Sequence, residues 1–371
     1  GLCSAKAGRA ISGRIDQTKI GITLSKALIL TNGLLTTSDA KTAHGLIRGT
    51  ARFDIAGVID PPTAGQDAGV LLDGRHRNIP VFDSLETAIA RTGAVHHLII
   101  GVATVGGVLP PDMLDILRTA IRRGLSVVNG LHDYLTEKPE LVALALENGV
   151  QLTDIRKPKS RRDLHFWTGA VYEVSCPIIA VIGTDCAVGK RTTARMLRQA
   201  CAAANLRAEM IYTGQTGWLQ GGQYGFIFDS TLNDFVSGEL EHAILSCWNE
   251  TRPDLILLEG QSALRNPSGP CGPELLISGN ARQVILVHAP KRTYYDNEPH
   301  WGKIPPLETE VALIRQYGSK VLALALNTEG CTEAEALDYQ RYYTSLLGLP
   351  VLLPLEEGVG PIVPALQALL L

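Results

Sequence analysis

The sequence has no pair of cysteines at C-x-x-C spacing, although seven cysteines are spread along it. An odd number without paired spacing argues against a disulfide framework and a zinc site, and it favours a reducing compartment. The first twenty residues contain no apolar core of signal-peptide length. The longest apolar stretch, residues 98–109, is interrupted by glycines and is too short to span a bilayer. We therefore expect a cytoplasmic protein with no membrane partner.

A large excess of charge of either sign is also absent. The formal net charge is -3, so the chain has no global basic field that would attract nucleic acid. With 45% hydrophobic and 19% charged residues, the composition is that of an ordinary globular protein. A length of 371 residues suffices for two domains, each with its own core.

Short apolar runs alternate with helical patterns, which predicts α/β domains with parallel sheets covered on both faces. In the first half we expect strands at 27–30, 55–59, 79–82, 97–102 and 126–128, and helices at 38–47, 85–91, 112–123 and 139–147. In the second half we expect strands at 178–182, 209–212, 254–258, 283–288, 320–326 and 351–353, and helices at 188–203, 240–250, 308–317 and 333–347.

The stretch 156–163 is polar, basic and broken by a proline, so it is the predicted domain junction. It is either a solvated connector or a basic lip near an anionic ligand. The resulting division is an N-terminal arm over residues 1–26, a first domain over 27–160 and a second over 161–371.

A phosphate-binding loop is the strongest motif. Between a predicted strand and helix stands Gly183-Thr184-Asp185-Cys186-Ala187-Val188-Gly189-Lys190, which matches G-x-x-x-x-G-K. The glycines let the backbone wrap tightly, so that loop amides and the helix N-terminus face a phosphate. The lysine adds a mobile full charge. We predict that this loop and the three residues after it bind the phosphates of a cofactor.

The residue after the lysine departs from the usual motif. Ser or Thr normally stands there and helps to hold magnesium, whereas this sequence has Arg191 followed by Thr192 and Thr193. Either Thr192 reaches a metal from a shifted position, or the site works without magnesium and Arg191 faces elsewhere or adds a second positive group. Phosphate binding is therefore predicted more firmly than nucleotide hydrolysis.

Two strand ends carry candidate proton acceptors. Glu259 follows the strand 254–258 at a Walker B position, where it either holds metal-bound water, acts as a general base, or simply caps the strand. His288 ends the strand 283–288 and is suited to shuttle a proton near neutral pH, unless it is bonded structurally. The first domain has no G-x-G-x-x-G, so Thr31-Asn32-Gly33 and Asp60 only resemble parts of a dinucleotide site.

Several strings together resemble one family, over nearly the whole chain from about residue 27. They are Ala40-Lys41-Thr42-Ala43, Gly57-Val58-Ile59-Asp60, Val128-Asn129-Gly130-Leu131-His132, Asp154-Ile155-Arg156, the loop with its Arg-Thr-Thr tail, and Glu259-Gly260-Gln261-Ser262. This bacterial and archaeal family was long filed as of unknown function. The resemblance implies a Rossmann-like N-terminal domain and a P-loop NTPase-like C-terminal domain, with Gly183, Gly189 and Lys190 matching the family's loop.

The resemblance also implies an activity: N-acetylation of D-glutamate or a related D-amino acid with acetyl-CoA, followed by a partner racemase of the enolase superfamily. Coenzyme A carries phosphates that suit a P-loop. Acetyl transfer needs a neutral amine, a base and oxyanion donors. Candidates for the base are Glu259, Asp185 and His288. Loop amides or Gln261 are candidate oxyanion donors, and Arg292 or Arg265 are candidate partners for substrate carboxylates.

Two other functions stay open at this point. A ligase or kinase that uses ATP or GTP would release ADP or phosphate in a magnesium-dependent reaction. A non-catalytic nucleotide-binding protein would bind tightly without turnover. The resemblance and the apolar run at 361–371 also favour a homo-oligomer.

Overall fold

The computed structural model describes residues 24–371, which form two α/β domains with one parallel sheet each. The predicted N-terminal arm lies outside the described residues except for its last three, and the first strand begins at Ser25. Within residues 24–371, no helix combines the length and the apolar character needed to cross a membrane.

The first domain has a six-stranded sheet in the order β3-β2-β1-β4-β5-β6. Its strands are β1 (Ser25–Leu30), β2 (Phe53–Ile59), β3 (Val81–Phe82), β4 (His97–Ile100), β5 (Ser126–Asn129) and β6 (Leu152–Asp154). Its helices are α1 (Lys41–Arg48), α2 (Ala68–Asp73), α3 (Leu85–Thr92), α4 (Pro111–Arg122) and α5 (Pro139–Glu147). This strand order is that of dinucleotide-binding folds. The sequence patterns missed α2 and the short edge strand β6.

The central strand β1 shows why the predicted strands are continuous apolar runs in the sequence. Leu28 and Leu30 pack into the core on one face of the sheet, whereas Ala27 and Ile29 pack into the core on the other. All four side chains are fully buried. Helices cover both faces, so neither set of alternating positions needs to be polar.

The second domain has a seven-stranded sheet in the order β13-β12-β11-β7-β10-β8-β9. Its strands are β7 (Ile178–Gly183), β8 (Ala208–Tyr212), β9 (Tyr224–Gly225), β10 (Leu255–Glu259), β11 (Gln283–His288), β12 (Lys320–Leu326) and β13 (Val351–Leu352). Its helices are α6 (Lys190–Ala203), α7 (Gln215–Leu219), α8 (Asn233–Thr251), α9 (Pro273–Leu276), α10 (Leu307–Gln316), α11 (Glu333–Leu347) and α12 (Val363–Gln367). Because β10 and β11 flank β7, the loop after β7 opens at the middle of the sheet.

The structure extends the predicted helix 240–250 back to Asn233. The added segment ends with Gly238 and Glu239, and Glu241 follows just inside the predicted range; all three are buried. Buried carboxylates and a glycine break the amphipathic pattern by which a helix is recognised in a sequence. The prediction was therefore too short at its N-terminal side.

Those two carboxylates hold the segment that connects the domains. Glu239 accepts hydrogen bonds from the His165 backbone N–H at 2.9 Å, from His165 Nδ1 at 2.7 Å and from Lys159 Nζ at 2.6 Å. Glu241 accepts bonds from the Thr168 backbone N–H at 2.6 Å and from the Val171 backbone N–H at 3.1 Å. The connection between β6 and β7 is thus bonded along α8.

The domains also meet where α1 contacts the segment after β8. Gln220 Nε2 donates to the Gly45 carbonyl at 2.6 Å, and Arg52 Nε donates to the Trp218 carbonyl at 2.7 Å. The Arg52 guanidinium lies 4.0 Å from the centre of the Trp218 ring, a cation–π contact. These contacts fix α1 beside the N-terminal part of α6, where Arg195 Nη1 reaches the Gly49 carbonyl at 3.2 Å.

We predict that Gly238→Ala destabilises the protein strongly. A Cβ atom at residue 238 would collide with the His165 carbonyl oxygen and force the connecting segment away from α8. We expect the free energy of unfolding in urea to fall by about 2 kcal/mol. At Gly360 a Cβ atom would meet nothing within 4 Å, so Gly360→Ala is the matched control. Equal stability of the two variants would contradict this account of the packing.

Candidate functional site

The loop between β7 and α6 adopts the tight curve that its sequence predicts. Ala187 and Gly189 have positive φ angles of 51° and 100°. Ala187 is an L-residue in the left-handed region, a conformation that persists only where the surrounding structure enforces it. The α-helix α6 then begins at Lys190. Loop and helix N-terminus together have the geometry that favours an anion.

Lys190 is buried, and its charge is met by backbone oxygens alone. Its Nζ donates to the Asp185 carbonyl at 2.6 Å and to the Ser262 carbonyl at 2.7 Å. In the part of the chain that is described, no carboxylate oxygen lies within 4.0 Å of this ammonium. Burial lowers the pKa of Lys190. A buried cation without an anionic partner is costly, and an anionic ligand would offset that cost.

Asp185 lies fully buried beneath the loop and is saturated with donors. Asn266 Nδ2 donates to its Oδ1 at 2.8 Å, while Arg292 Nη1 at 3.0 Å and the Asp296 backbone N–H at 2.8 Å donate to its Oδ2. Arg292 also donates to the Cys186 carbonyl at 2.5 Å. These contacts make Asp185 an anchor of the loop, and they occupy the Arg292 nitrogen Nη1 with the loop.

Glu259 and Arg191 pair at the end of β10. Arg191 Nη1 lies 3.4 Å from Glu259 Oε1, and the Thr213 backbone N–H donates to Glu259 Oε2 at 3.2 Å. Burial raises the pKa of Glu259, and the positive charge of Arg191 opposes that rise. Gln261 Nε2 donates to Thr213 Oγ1 at 3.1 Å, so Gln261 lies beside the same carboxylate. Arg191 therefore faces the Walker B position.

His288 lies behind the loop, and both of its ring nitrogens are engaged. Nδ1 is 2.9 Å from Thr184 Oγ1, and Nε2 is 3.2 Å from Tyr343 Oη. Burial, with the nearby charge of Arg292, lowers the pKa of His288 to about 4. The ring is therefore neutral at physiological pH and supports Thr184 from below, which is the structural alternative for this histidine.

Arg265 also has its charge occupied. Its Nε and Nη2 bind the buried carboxylate of Glu310, with Nε at 2.6 Å, and Nη2 also donates to Thr309 Oγ1 at 2.9 Å. Of the predicted site residues, the structure brings five around the loop, whereas Arg265 pairs with Glu310. The five are Glu259, Gln261, Asp185, His288 and Arg292. Asn266, which bonds Asp185, was missed, because nothing in its local sequence indicates a partner 81 positions away.

Arg156 of the first domain contacts the second domain at the segment after β8. Arg156 Nη1 is 2.7 Å from His132 Nε2, and Arg156 Nη2 donates to Gln215 Oε1 at 2.9 Å and lies 3.3 Å from Asp229 Oδ2. Its Nε is buried without a hydrogen-bond partner in the described structure. Arg156 begins the basic junction, so one end of that junction forms a contact between the domains.

The dinucleotide position of the first domain is occupied from within. Asp60, after β2, accepts hydrogen bonds from Thr31 Oγ1 at 2.7 Å, the Gly33 backbone N–H at 2.7 Å and the Leu35 backbone N–H at 3.1 Å. In dinucleotide-binding folds the corresponding loop amides hold a pyrophosphate. Here a carboxylate of the same domain takes those donors.

Residues 24–371 contain one grouping of three side chains suited to a metal, formed by Asp185, Cys186 and Asp296. Asp185 is already neutralised by Arg292, and Glu259 is not part of the group. The grouping therefore carries no metal assignment.

We predict that His288 makes the protein less stable in acid. Its pKa is lower in the folded protein than the ordinary 6.5, so the unfolded chain binds the proton first as the pH falls. Acidification from pH 6.5 to 4 should cost about 3 kcal/mol of unfolding free energy through this residue. Urea unfolding at several pH values measures this loss. It should be reduced in His288→Asn and retained in His300→Asn, where the ring is exposed; identical pH profiles would contradict the assignment.

Comparison with known proteins supports the same two-domain description. Residues 61–158 match the family described as Domain of unknown function (DUF1611_N) Rossmann-like domain, and residues 165–363 match Domain of unknown function (DUF1611_C) P-loop domain. A crystal structure of a DUF1611 family protein from Anabaena variabilis ATCC 29413 is similar, with a TM-score of 0.86 and 30% identity, covering 93% of this chain and 99% of that one. The predicted fold class is confirmed.

Two curated proteins named D-glutamate N-acetyltransferase are also similar to this chain. The one from Pseudoalteromonas sp is 32% identical over 281 residues, which is 74% of this chain and 82% of that protein. The one from Tritonibacter scottomollicae is 32% identical over 286 residues, 75% of this chain and 83% of that protein.

Proposed function

The chain belongs to the DUF1611 family, and from that premise we propose that it is an N-acetyltransferase. The proposed reaction transfers the acetyl group of acetyl-CoA to the amino group of D-glutamate or a related D-amino acid. The two relatives that carry the name D-glutamate N-acetyltransferase support it, since their 32% identity extends over more residues than either domain contains.

The structural observation that carries the proposal is the buried ammonium of Lys190, which only carbonyl oxygens contact. Such a charge favours an anionic ligand. The diphosphate of coenzyme A meets that requirement, and the loop residues Gly183 to Thr193 would hold it. The bound cosubstrate supplies an activated acetyl thioester. The remaining chemistry belongs to side chains at the ends of β8 and β10.

Acetyl transfer forms a bond between the substrate nitrogen and the acetyl carbon and breaks the bond between that carbon and sulfur. A base must take the proton that the amine loses. Of the three predicted bases, Asp185 accepts three hydrogen bonds and His288 is engaged at both nitrogens. Both oxygens of Glu259 are also engaged, but only through longer contacts, at 3.4 Å to Arg191 and at 3.2 Å to the Thr213 backbone N–H. Burial raises the pKa of Glu259, the direction that makes a carboxylate a stronger proton acceptor. We propose Glu259 as the base.

The other roles follow from position. The amide of Gln261, two residues after Glu259, and the backbone amides of the loop are the proposed donors to the thioester oxygen during transfer. Arg265 pairs with Glu310, and Arg292 Nη1 is bound to the loop. Arg156 contacts both domains, and its Nε has no hydrogen-bond partner within residues 24–371. It is the proposed partner for a substrate carboxylate, which would compete with the present ion pair to Asp229 at 3.3 Å.

The deciding assay measures thiol release from acetyl-CoA with a panel of D- and L-amino acids, with and without ATP and magnesium. We expect release that requires D-glutamate or a relative and does not require ATP. Nucleotide cleavage stimulated by an amino acid, without thiol release, would instead support the ligase or kinase. Nucleotide binding without any turnover would support a non-catalytic protein.

We predict that Glu259→Gln lowers kcat by about 10²- to 10⁴-fold, the range for loss of a general base. The KM for acetyl-CoA should change little, because the loop that holds the phosphates is intact. Glu310→Gln is a matched control, since it alters another buried carboxylate paired with an arginine. Wild-type turnover by a folded Glu259→Gln protein would remove Glu259 as the base.

A further inference from the structure

We propose that the guanidinium of Arg191 stands where a P-loop enzyme holds its magnesium ion, so that this site binds a diphosphate without a metal. In the usual site, the hydroxyl after the P-loop lysine and the Walker B carboxylate both serve the ion. Here the hydroxyl is replaced by Arg191, and the carboxylate is Glu259. The residues present therefore do not fit the magnesium ion that the loop motif implies.

The geometry shows how the replacement is arranged. Arg191 Nη1 lies 3.4 Å from Glu259 Oε1, and their side chains are 27% and 2% exposed. The other carboxylate oxygen accepts the Thr213 backbone N–H, so both oxygens of Glu259 are engaged. A divalent ion between the loop and Glu259 would meet the positive guanidinium at close range, where like charges repel.

A glycine of the first domain lies beside this arginine. A Cβ atom on Gly45, in α1 of the first domain, would lie 3.6 Å from Arg191 Nη2 and 2.6 Å from Thr216 Cγ2. The absence of a side chain at residue 45 thus lets α1 pack closely against Thr216, which brings α1 beside the guanidinium. Arg191 is confined between the two domains and directed at the Walker B carboxylate.

The surrounding charge fits a diphosphate that arrives without a metal. Arg195, one turn after Arg191, bonds the Gly49 carbonyl, and burial together with Arg191 lowers the pKa of Arg195 to about 10. Lys190, Arg191 and Arg195 are three cations, and within residues 24–371 Glu259 alone places a carboxylate within 4.0 Å of any of them. The excess positive charge is what a metal-free diphosphate requires for neutralisation.

This inference rests on the proposed function only in naming coenzyme A as the natural ligand. Calorimetric titration tests it with two probes, coenzyme A and inorganic pyrophosphate, each in EDTA and in excess magnesium. We expect the wild-type protein to bind both probes with the same affinity under the two conditions.

Substitution of Arg191 should make ligand binding depend on magnesium. Arg191→Thr removes the guanidinium and restores a hydroxyl, so affinity in EDTA should fall about ten- to a hundredfold, the loss of one charge-assisted contact. Magnesium should recover part of it, because Glu259 becomes able to serve an ion. Adding Glu259→Gln should abolish that recovery. Arg198→Thr, on the same helix but paired with Glu209, should leave the affinity unchanged.

Wild-type affinity that disappears in EDTA and returns with magnesium would overturn the inference, as would unchanged affinity of Arg191→Thr in EDTA. Failure of both probes to bind would overturn it too. If Arg191→Thr does not fold, Arg191→Lys takes its place. We expect this variant to bind both probes more weakly than the wild type, with the same affinity in EDTA and in magnesium. Binding of pyrophosphate but not of coenzyme A would reject the acetyl-CoA role while leaving the inference about Arg191 intact.

Discussion

The site is organised around one positive charge that is buried at the middle of a parallel sheet. The ammonium of Lys190, the last residue of the loop motif, donates hydrogen bonds to two carbonyl oxygens rather than to a carboxylate. Asp185, an acidic residue of the same loop, is instead paired with Arg292 and bonded by Asn266. The ammonium is thus left without a carboxylate partner within residues 24–371, at a cost in stability that the large core of the domain offsets.

The sheets were predictable because parallel strands that are buried on both faces consist of continuous runs of apolar residues. The central strands β1, β7 and β11 were located from such runs, and the loop motif fixed the connection from β7 to α6. The short edge strands β6 and β9 have too few residues to form a recognisable apolar run. The start of α8 was missed because Glu239 and Glu241 are buried there, and what they bind lies about seventy positions away in the sequence.

The charged residues of the site were less predictable than the loop, and the reason is pairing at long range. Arg292 and Arg265 look alike in the sequence, as cations near strand ends. Only the fold shows that Arg292 joins Asp185, 107 positions away, and that Arg265 joins Glu310, 45 positions away. Arg156 gave the opposite outcome. It stands in the segment predicted as either a connector or a basic lip, and the fold makes it a contact between the domains, through His132 of the first and Gln215 of the second.

The self-contained loop of the first domain affects how inactive variants should be interpreted. Asp60 accepts hydrogen bonds from the backbone N–H groups that a related domain would offer to a nucleotide. This loop therefore stabilises the fold of its own domain. A genetic screen for loss of activity would still recover substitutions at Asp60 and at the residues it bonds. Such substitutions would lie as close together in the structure as substitutions in a binding site do. Their signature would be low protein abundance in cells with normal turnover per surviving molecule, since the cluster marks a folding dependency.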